Sequence, residues 1–344
     1  MAYEIGQLSR EIGFFYLHPG EVLAGLYLAP AAAMTVVTTP DSYTYDVAVV
    51  GGGPAGLSAA LWLARYLHSV VVVDSGDPRN WETRGINGFL GAHAIRSPEL
   101  REHGRKDAQK YGAELVDDTV DTVKGIDDDC FRLKLKSGKS IDSQRLLLAI
   151  GIRDIWPPIP GLEACYGETA HVCPDCDGYE TRGRKTVVVG TGQKAVGMAL
   201  ALTTWTDKIV ICTNGNPAGI NREHLAQLKA LNIPALEQEI TCIKSTKGEI
   251  NCVELANEMT LDCDRLYFAI GQIPADDIGA QLGCKRDESG LIVVNEQNRT
   301  SVKNVYAAGD IIPGPQLAIV AAASGAVAAL AIHHSLVPKE RRLD

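Results

Sequence analysis

The sequence predicts an α/β protein built from two units of one pattern, the second inserted into a split first. Three observations predict it. The segment YDVAVVGGGPAGLSAALWLARYLHSVVVVDSG reads as strand, glycine turn, helix, strand, and RKTVVVGTGQKAVGMALALTTWTDKIVICTNG repeats that order about 140 residues later. Two apolar strands, RLLLAIG at 145–151 and RLYFAIGQIPADD at 265–277, each run into a proline-containing exit, as expected where a chain crosses between units. In both repeats the valine runs suit strands buried on both faces of a parallel sheet. The small-residue segment after the glycines has the length of a crossover helix. The predicted organisation is an extension over residues 1–44, an outer unit from 45–155 and 275–344, and a central unit at 156–274. Two crossings leave room for hinge motion between the units.

Bulk properties bound the function. A chain of 344 residues allows about two domains. Its net charge of −9 argues against a nucleic-acid binder, which would show a basic face. Nine cysteines at irregular spacing, in a chain that is 46% hydrophobic, point to a reducing compartment, the cytoplasm, rather than a disulfide scaffold. Cys130, Cys165, Cys212, Cys242, Cys252, Cys263 and Cys284 are scattered singly and read as small buried hydrophobes. No apolar run has the length of a membrane span. GFFYLHPGEVLAGLYLAPAAAM near the N-terminus is a poor signal peptide, since no basic cluster precedes it. It reads as an upstream extension to a domain starting near Met34, or as a docking or membrane-surface segment.

Gly51-Gly52-Gly53-Pro54-Ala55-Gly56 follows the first strand directly and opens a helix. In such a turn the first glycine permits the tight bend, the second lets backbone approach a pyrophosphate, and the third lets helix pack on strand. The helix N-terminus then faces the phosphate charge. Asp74 ends the next strand, where a carboxylate can accept from a ribose hydroxyl. Strand, turn, helix and acid together make this a Rossmann-like dinucleotide site. Near the C-terminus, VYAAGDIIPGPQLAIVAAASGAVAALAI gives a strand, then Gly309-Asp310, then an alanine-rich helix. Asp310 could bind a polyol hydroxyl, and a helix starting at Gln316, Leu317 and Ala318 could face a ring that becomes anionic on reduction. An ordinary amphipathic helix with a polar cap reads the same stretch equally well.

The stretch HVCPDCDGYE, residues 171–180, holds the one cysteine pair. A dithiol at the start of a helix has one thiol at the positive helix end, which lowers its pKa. The short loop lets Cys173 and Cys176 close and reopen as electrons arrive. Asp177 adds a proton donor and acceptor. Zinc is the competing reading, with His171, Cys173 and Cys176 as three ligands, but no second CxxC or HxxxH completes a closed site.

In this order, GGGPAG, a central CxxCDG, and AAGD before an alanine-rich helix, the sequence resembles the low-molecular-weight thioredoxin reductase family of flavoproteins. The resemblance implies two Rossmann-like domains, with FAD in the split outer one and the redox cysteines in the central one. It implies that Gly51, Gly53, Pro54, Ala55, Gly56 and Asp74 hold the ADP half of FAD. Asp310, beside Gly309, would hold the ribityl chain, with Gln316, Leu317 and Ala318 near the flavin pyrimidine. Arg79, Asn87 and Gly91, in DPRNWETRGINGFLG, and Gly151 would line the flavin. It also implies a homodimer, Cys176 next to the flavin, and Cys173 as the thiol exchanging with a dithiol or disulfide partner. Pro-Asp between the cysteines departs from the commoner family dipeptide, and the extra acid should raise the thiol pKa.

The second glycine motif, Gly190-x-Gly192-x-x-Ala195, is an acceptable dinucleotide turn. Its next strand ends with Thr213 and Asn214 where Asp74 stands in the first. The paired arginines with which NADPH-using relatives hold the 2′-phosphate are missing. NADPH or NADH could bind through other residues. The sequence is also similar to the diflavin-linked disulfide oxidoreductases, which implies a second FAD in that place. Two rival functions share the scaffold: an oxygen-using dithiol oxidase, and a flavin-bound redox sensor that is not an enzyme.

Overall fold

The computed structural model describes residues 44–341 except 80–82, 84 and 128, so the predicted N-terminal extension, up to its last residue, falls outside the described residues. The described chain opens with β1 (Thr44–Val50), turns through glycines into α1 (Pro54–Arg65) and returns as β2 (Val70–Asp74). Next come α2 (Ser97–Lys110), β3 (Glu114–Asp117), the hairpin β4 (Val120–Gly125) and β5 (Phe131–Leu135), and β6 (Ser140–Leu148). After β7 (Ile152–Asp154), the short β8 (Ala170–His171) and α3 (Pro174–Asp177) carry the cysteine pair. The glycine pattern then repeats as β9 (Thr186–Val189), α4 (Gly192–Leu202) and β10 (Ile209–Cys212), followed by α5 (Arg222–Ala230) and β11 (Ala235–Leu236). The ribbon β12 (Ile240–Thr246), β13 (Glu249–Leu255) and β14 (Thr260–Asp262) precedes β15 (Arg265–Phe268) and β16 (Gln272–Pro274). The chain ends through α6 (Ile278–Gln281), β17 (Val305–Ala307) and α7 (Ala318–Leu336).

Side-chain alternation assigns each face of the sheets. The outer sheet runs β3-β2-β1-β6-β5-β4, with β17 also on β6. Val47, Val49, Val70 and Val72 point to one side and pack with Ala59, Leu63, Ala328 and Ile332 of α1 and α7. Ala48, Val50, Val71 and Val73 point to the other and pack with Phe131, Leu133, Ile278 and Ile292. Such strands are buried on both faces, which is why they read as unbroken valine runs. Each valine so buried contributes roughly 1.5–3 kcal/mol. The central sheet, β11-β10-β9-β15-β8, repeats the plan. Val188, Ile211 and Tyr267 face α4, while Val187, Val189 and Phe268 face the β12–β13 ribbon.

The two chain crossings pair with each other. β7 and β16 form an antiparallel ribbon, Ile152 opposite Pro274 and Asp154 opposite Gln272. Gly151 (φ +68°) and Gly271 (φ +154°) stand at its ends, in backbone conformations that only glycine adopts readily. Among the described residues α7 is the helix long and apolar enough to cross a membrane. It crosses α1 so closely that a Cβ on Gly325 would stand 2.0 Å from the Ala55 carbonyl oxygen.

Candidate active site

The first glycine turn has the geometry of a phosphate cradle. Gly51 bends at φ +104°, and a Cβ there would meet the Ala149 oxygen at 2.3 Å. A Cβ on Gly56 would lie 1.9 Å from the Gly51 oxygen, so this glycine sets how near α1 comes to β1. Gly53 differs: nothing stands within 4 Å of where its side chain would be. It is also the N-cap of α1, with Pro54 following and no side chain capping the helix. The backbone therefore presents uncapped helix N–H groups to an open cradle. Asp74 ends β2 as expected, and its Oδ1 accepts from the Gly76 N–H at 3.2 Å. Arg101 pairs with its Oδ2, and Arg105 reaches the same oxygen at 3.4 Å. Both arginines come from α2, one turn apart, and with Asp117 they line a cavity of about 450 Å3.

Residues far apart in sequence meet where the outer unit faces the ribbon. Arg79 makes a two-pronged pair with Asp154, both bonds 2.7 Å. Its remaining nitrogen donates to Asp310 (3.1 Å) and Gln316 (3.0 Å). Gln272 donates to Asp154 (3.0 Å) and exchanges hydrogen bonds with Gln316. Burial pushes the Asp310 carboxyl up, and Arg79 beside it pulls the other way. The helix predicted at Gln316 begins later: Leu317 is its N-cap and Ala318 its first residue. Gly309 (φ +80°) lies against the Ala55 methyl of α1, and its N–H donates to the Ser324 hydroxyl. Asp154 and Gln272 were not singled out from sequence; an acid just past an apolar strand, in GIRDIW, was the available signal. Gly91 is not drawn in: it lies on an exposed loop tip. Asn87 is drawn in, donating to the Cys176 carbonyl at 3.3 Å.

Cys173 and Cys176 are joined as a disulfide. The helix they open is one turn long, Pro174–Asp177, so the expected macrodipole is small and its effect on the thiol comes down to local N–H groups. One such group is in place: the Cys176 N–H donates to Cys173 Sγ at 3.1 Å. Asp177 is largely buried, and desolvation with the nearby Glu180 raises its pKa to about 7. His171, weighed as a metal ligand from sequence, turns Nδ1 toward Asp177 Oδ2 at 3.4 Å. A cavity of about 690 Å3 runs from Pro174 past Lys194 and Phe268 to Gln272 and Gln316, joining the start of α3, the ribbon and α4.

The second glycine turn is closed by its own chain. Ala195 packs against Gly190 as a dinucleotide turn requires, and Gly192 bends at φ +59°. Its N–H, however, donates to the Ala218 carbonyl (2.8 Å), and Ala218 N donates to Glu237 Oε1 (2.8 Å). Thr213 is buried and its hydroxyl is held by the Asn216 carbonyl. The Asn214 side chain accepts from Ile240 N at 2.8 Å. Both predicted nucleotide contacts are thus committed to the chain itself, Thr213 to its own loop and Asn214 to the start of β12.

Residues 45–325 match the pyridine nucleotide-disulphide oxidoreductase family. The chain belongs to that family. Within it the resemblance to thioredoxin reductases is consistent. The thioredoxin reductase of Bacillus subtilis is 27% identical over 302 residues, 84% of this chain and 94% of the relative. The solved structure of HlmI is 33% identical with a TM-score of 0.82, covering 86% of this chain and 95% of that one. TrxB from Bacillus anthracis is 29% identical with a TM-score of 0.81, covering 87% and 100%. The protein is an oxidoreductase with the thioredoxin-reductase fold, and membership of this flavoprotein family implies FAD. The outer cradle fits that cofactor: Gly53 leaves room for a pyrophosphate where a Cβ would stand, and α1 offers its free N–H groups.

Proposed function

We propose that the protein exchanges two electrons between FAD in the outer unit and the Cys173–Cys176 disulfide, and passes them to or from a thioredoxin-like dithiol partner. The carrying observation is that the outer unit's loop touches the disulfide segment at Cys176, through Asn87. That favours Cys176 as the flavin-side sulfur and Cys173 as the exchanging one. When bound, the flavin supplies the electron pair; the chain binds, orients and handles protons. Gly53, Pro54, Ala55 and Gly56 would hold the pyrophosphate, and Arg101 and Arg105 would fix Asp74 beside the adenosine ribose. Arg79, Asp310 and Gln316 would meet the ribityl chain and ring edge. On this reading the residues flanking the β7–β16 ribbon form the domain boundary. Rotation about Gly151 and Gly271 would carry the disulfide from flavin to partner, since one position hardly serves both. Trp62, Val327 and Leu330, each more than a third exposed on α1 and α7, suit the homodimer contact that the family resemblance implies.

The central cradle supports a reading of the electron donor. A 2′-phosphate needs cations, and the strand ends here present buried Thr213 and the carboxylate of Glu237. We infer that this cradle takes a dinucleotide with an unphosphorylated ribose, NADH before NADPH, once the 213–219 loop has released Gly192. An anaerobic titration following flavin absorbance tests the reading. Bleaching by NADH at near-stoichiometric amounts, and poorly by NADPH, is the expected result. Bleaching only by dithiols would move the assignment to an oxidase or to a second FAD in the central cradle. Cys176→Ser must abolish dithiol–flavin exchange; if exchange survives, the cysteine assignment is wrong.

A further inference from the structure

We propose that Asp175 sets the charge preference of the exchanging sulfur, so that the Cys173–Cys176 pair favours disulfide and dithiol partners with positive charge beside their sulfur. This rests on the reading that the pair is the electron-exchanging group. Asp175 stands between the two cysteines, second residue of the one-turn α3, whose N-cap is Cys173. It is not needed as a cap, since Cys173 Sγ already accepts the Cys176 N–H at 3.1 Å. Nor does one turn offer much dipole for an acid to answer. The residue is exposed, and among the described residues no ion pair or hydrogen bond engages its side chain. Pro174, before it, lines the cavity toward the ribbon and α4. Asp175 lies about 100° further round the turn and faces solvent. A free carboxylate thus stands on the exposed side of the turn that carries both sulfurs.

The neighbouring charges do not cancel it. Asp177, the other acid of the turn, is largely buried and keeps its proton to about pH 7. Glu180, exposed on the next segment, has no ion pair among the described residues and adds to the same sign. Arg182 is stacked over the Tyr179 ring at 3.9 Å, and Lys185 is paired with Asp262. Arg184 is exposed between them. Lys194 lies on the cavity side, donating to the Ile270 carbonyl at 3.3 Å. The exposed charge closest in the chain to both cysteines is therefore the Asp175 carboxylate.

In each exchange the Cys173 thiolate attacks a partner disulfide, forming a mixed disulfide and expelling one partner thiolate. Cys176 then attacks the Cys173 sulfur, which re-forms the internal S–S bond and expels the second. Two electrons pass from the dithiol to the partner, and the two protons end on the released thiols. Both steps bring the partner's substituents beside Asp175. Two unit charges about 7 Å apart in water interact by about the thermal energy, and salt weakens this. Changing the partner's charge from positive to negative should therefore alter the rate about fivefold at low salt.

The test uses holoprotein reduced anaerobically with dithiothreitol, freed of it, and mixed at neutral pH with one of three small disulfides. These are cationic cystamine, anionic dithiodipropionate and neutral hydroxyethyl disulfide, and loss of the dithiol is followed by alkylation and mass spectrometry. The cystamine to dithiodipropionate rate ratio cancels any change in the sulfur's own nucleophilicity. Asp175→Asn should lower that ratio about fivefold at low salt, and Asp175→Glu should keep it. A carboxylate that serves only to start the helix would leave the ratio unchanged in Asp175→Asn, and that result overturns the proposal. If Asp175→Asn does not fold, the salt dependence of wild type decides. Added salt should slow cystamine and speed dithiodipropionate, and the absence of these opposite slopes overturns the proposal. Failure of all three disulfides, the neutral one included, would instead defeat the functional reading and the proposal with it.

Discussion

Two glycines three residues apart should fail in opposite ways when each becomes alanine. Gly56→Ala places a methyl 1.9 Å from the Gly51 carbonyl oxygen, where ordinary contact needs well over 3 Å. The methyl also meets a Val49 methyl at 3.2 Å, so α1 must lift off β1. Overpacking of this kind costs about 1–3 kcal/mol or more. In a chain of this size that lowers the melting midpoint by roughly 1–4 °C. Gly53→Ala meets nothing within 4 Å and sits at φ −79°, which alanine adopts freely. Its cost to the fold is limited to a weaker helix cap, about 1 kcal/mol. Its methyl nonetheless stands in the open cradle where backbone must approach the pyrophosphate. The assay is flavin content per chain by absorbance, beside the melting curve of the flavin-stripped protein. Gly53→Ala should lose flavin and keep its apo stability, whereas Gly56→Ala should lose both. Retention of flavin by Gly53→Ala at wild-type affinity would refute the placement of the cofactor. Equal destabilisation by the two would refute the steric reasoning.

Three further outcomes are expected. Arg79→Ala leaves Asp154, 4% exposed in its side chain, with Gln272 as its remaining partner here, and should cost about 3–5 kcal/mol and loosen flavin retention; chemical denaturation of holo and apo forms checks it. Asp177 keeps its proton to about pH 7 in the fold, against about 3.8 unfolded, so the folded state binds more protons between those values and stability falls as pH rises through them. Asp177→Asn should therefore raise the melting temperature near pH 8, by a gain of at most about 4 kcal/mol, and leave it unchanged near pH 4. His68 Nε2 and His333 Nδ1 are 3.0 Å apart, joining the α1–β2 turn to the end of α7, and burial lowers both pKa values. A base with a depressed folded pKa stabilises the fold above its unfolded value of about 6.5 and loses that contribution as pH falls below it. Melting temperature should drop between about pH 7.5 and about pH 5.5, and His333→Gln should flatten the drop.

What the sequence made legible is what local rules control. Valine runs, glycine turns and the alanine-rich helix follow from periodicity and backbone sterics, and each element lies where those rules put it, but for the helix start that slips from Gln316 to Ala318. The contacts that were missed join residues far apart in the chain. Arg79 meets Asp154 and Asp310 across 75 and 231 positions, a pairing that no spacing rule encodes. Arg101 and Arg105 carried a weak signal, two arginines one turn apart on the helix that follows an acid-ended strand. His171 was weighed as a zinc ligand beside the cysteines and set aside, and a ligand count says nothing about which carboxylate lies 3.4 Å away. The helix at the cysteines was expected but its shortness was not, because Pro174 and Asp175 start a helix well, while its end is set by how Gly178 packs. A Cβ there would collide with Trp205 at 2.5 Å.

The two repeats show how far a glycine motif can be trusted. Both fold as strand, turn and helix, and both seat their small residues as the motif requires. They part in charge and in access. The outer turn ends in an open cradle, and Asp74 beside it is neutralised by two arginines. The central turn has its Gly192 N–H taken by Ala218 and an acid, Glu237, holding Ala218 from the other side. One repeat therefore leaves its cradle open, and the other has its cradle occupied by its own loop. A carboxylate that holds the loop shut also disfavours an added phosphate, so one residue works on both access and choice of nucleotide. Glu237→Gln separates these effects. It keeps a side-chain oxygen for the Ala218 N–H and removes the charge, so it should leave NADH bleaching nearly unchanged and improve NADPH. An equal gain for both nucleotides would mean that Glu237 governs the loop alone.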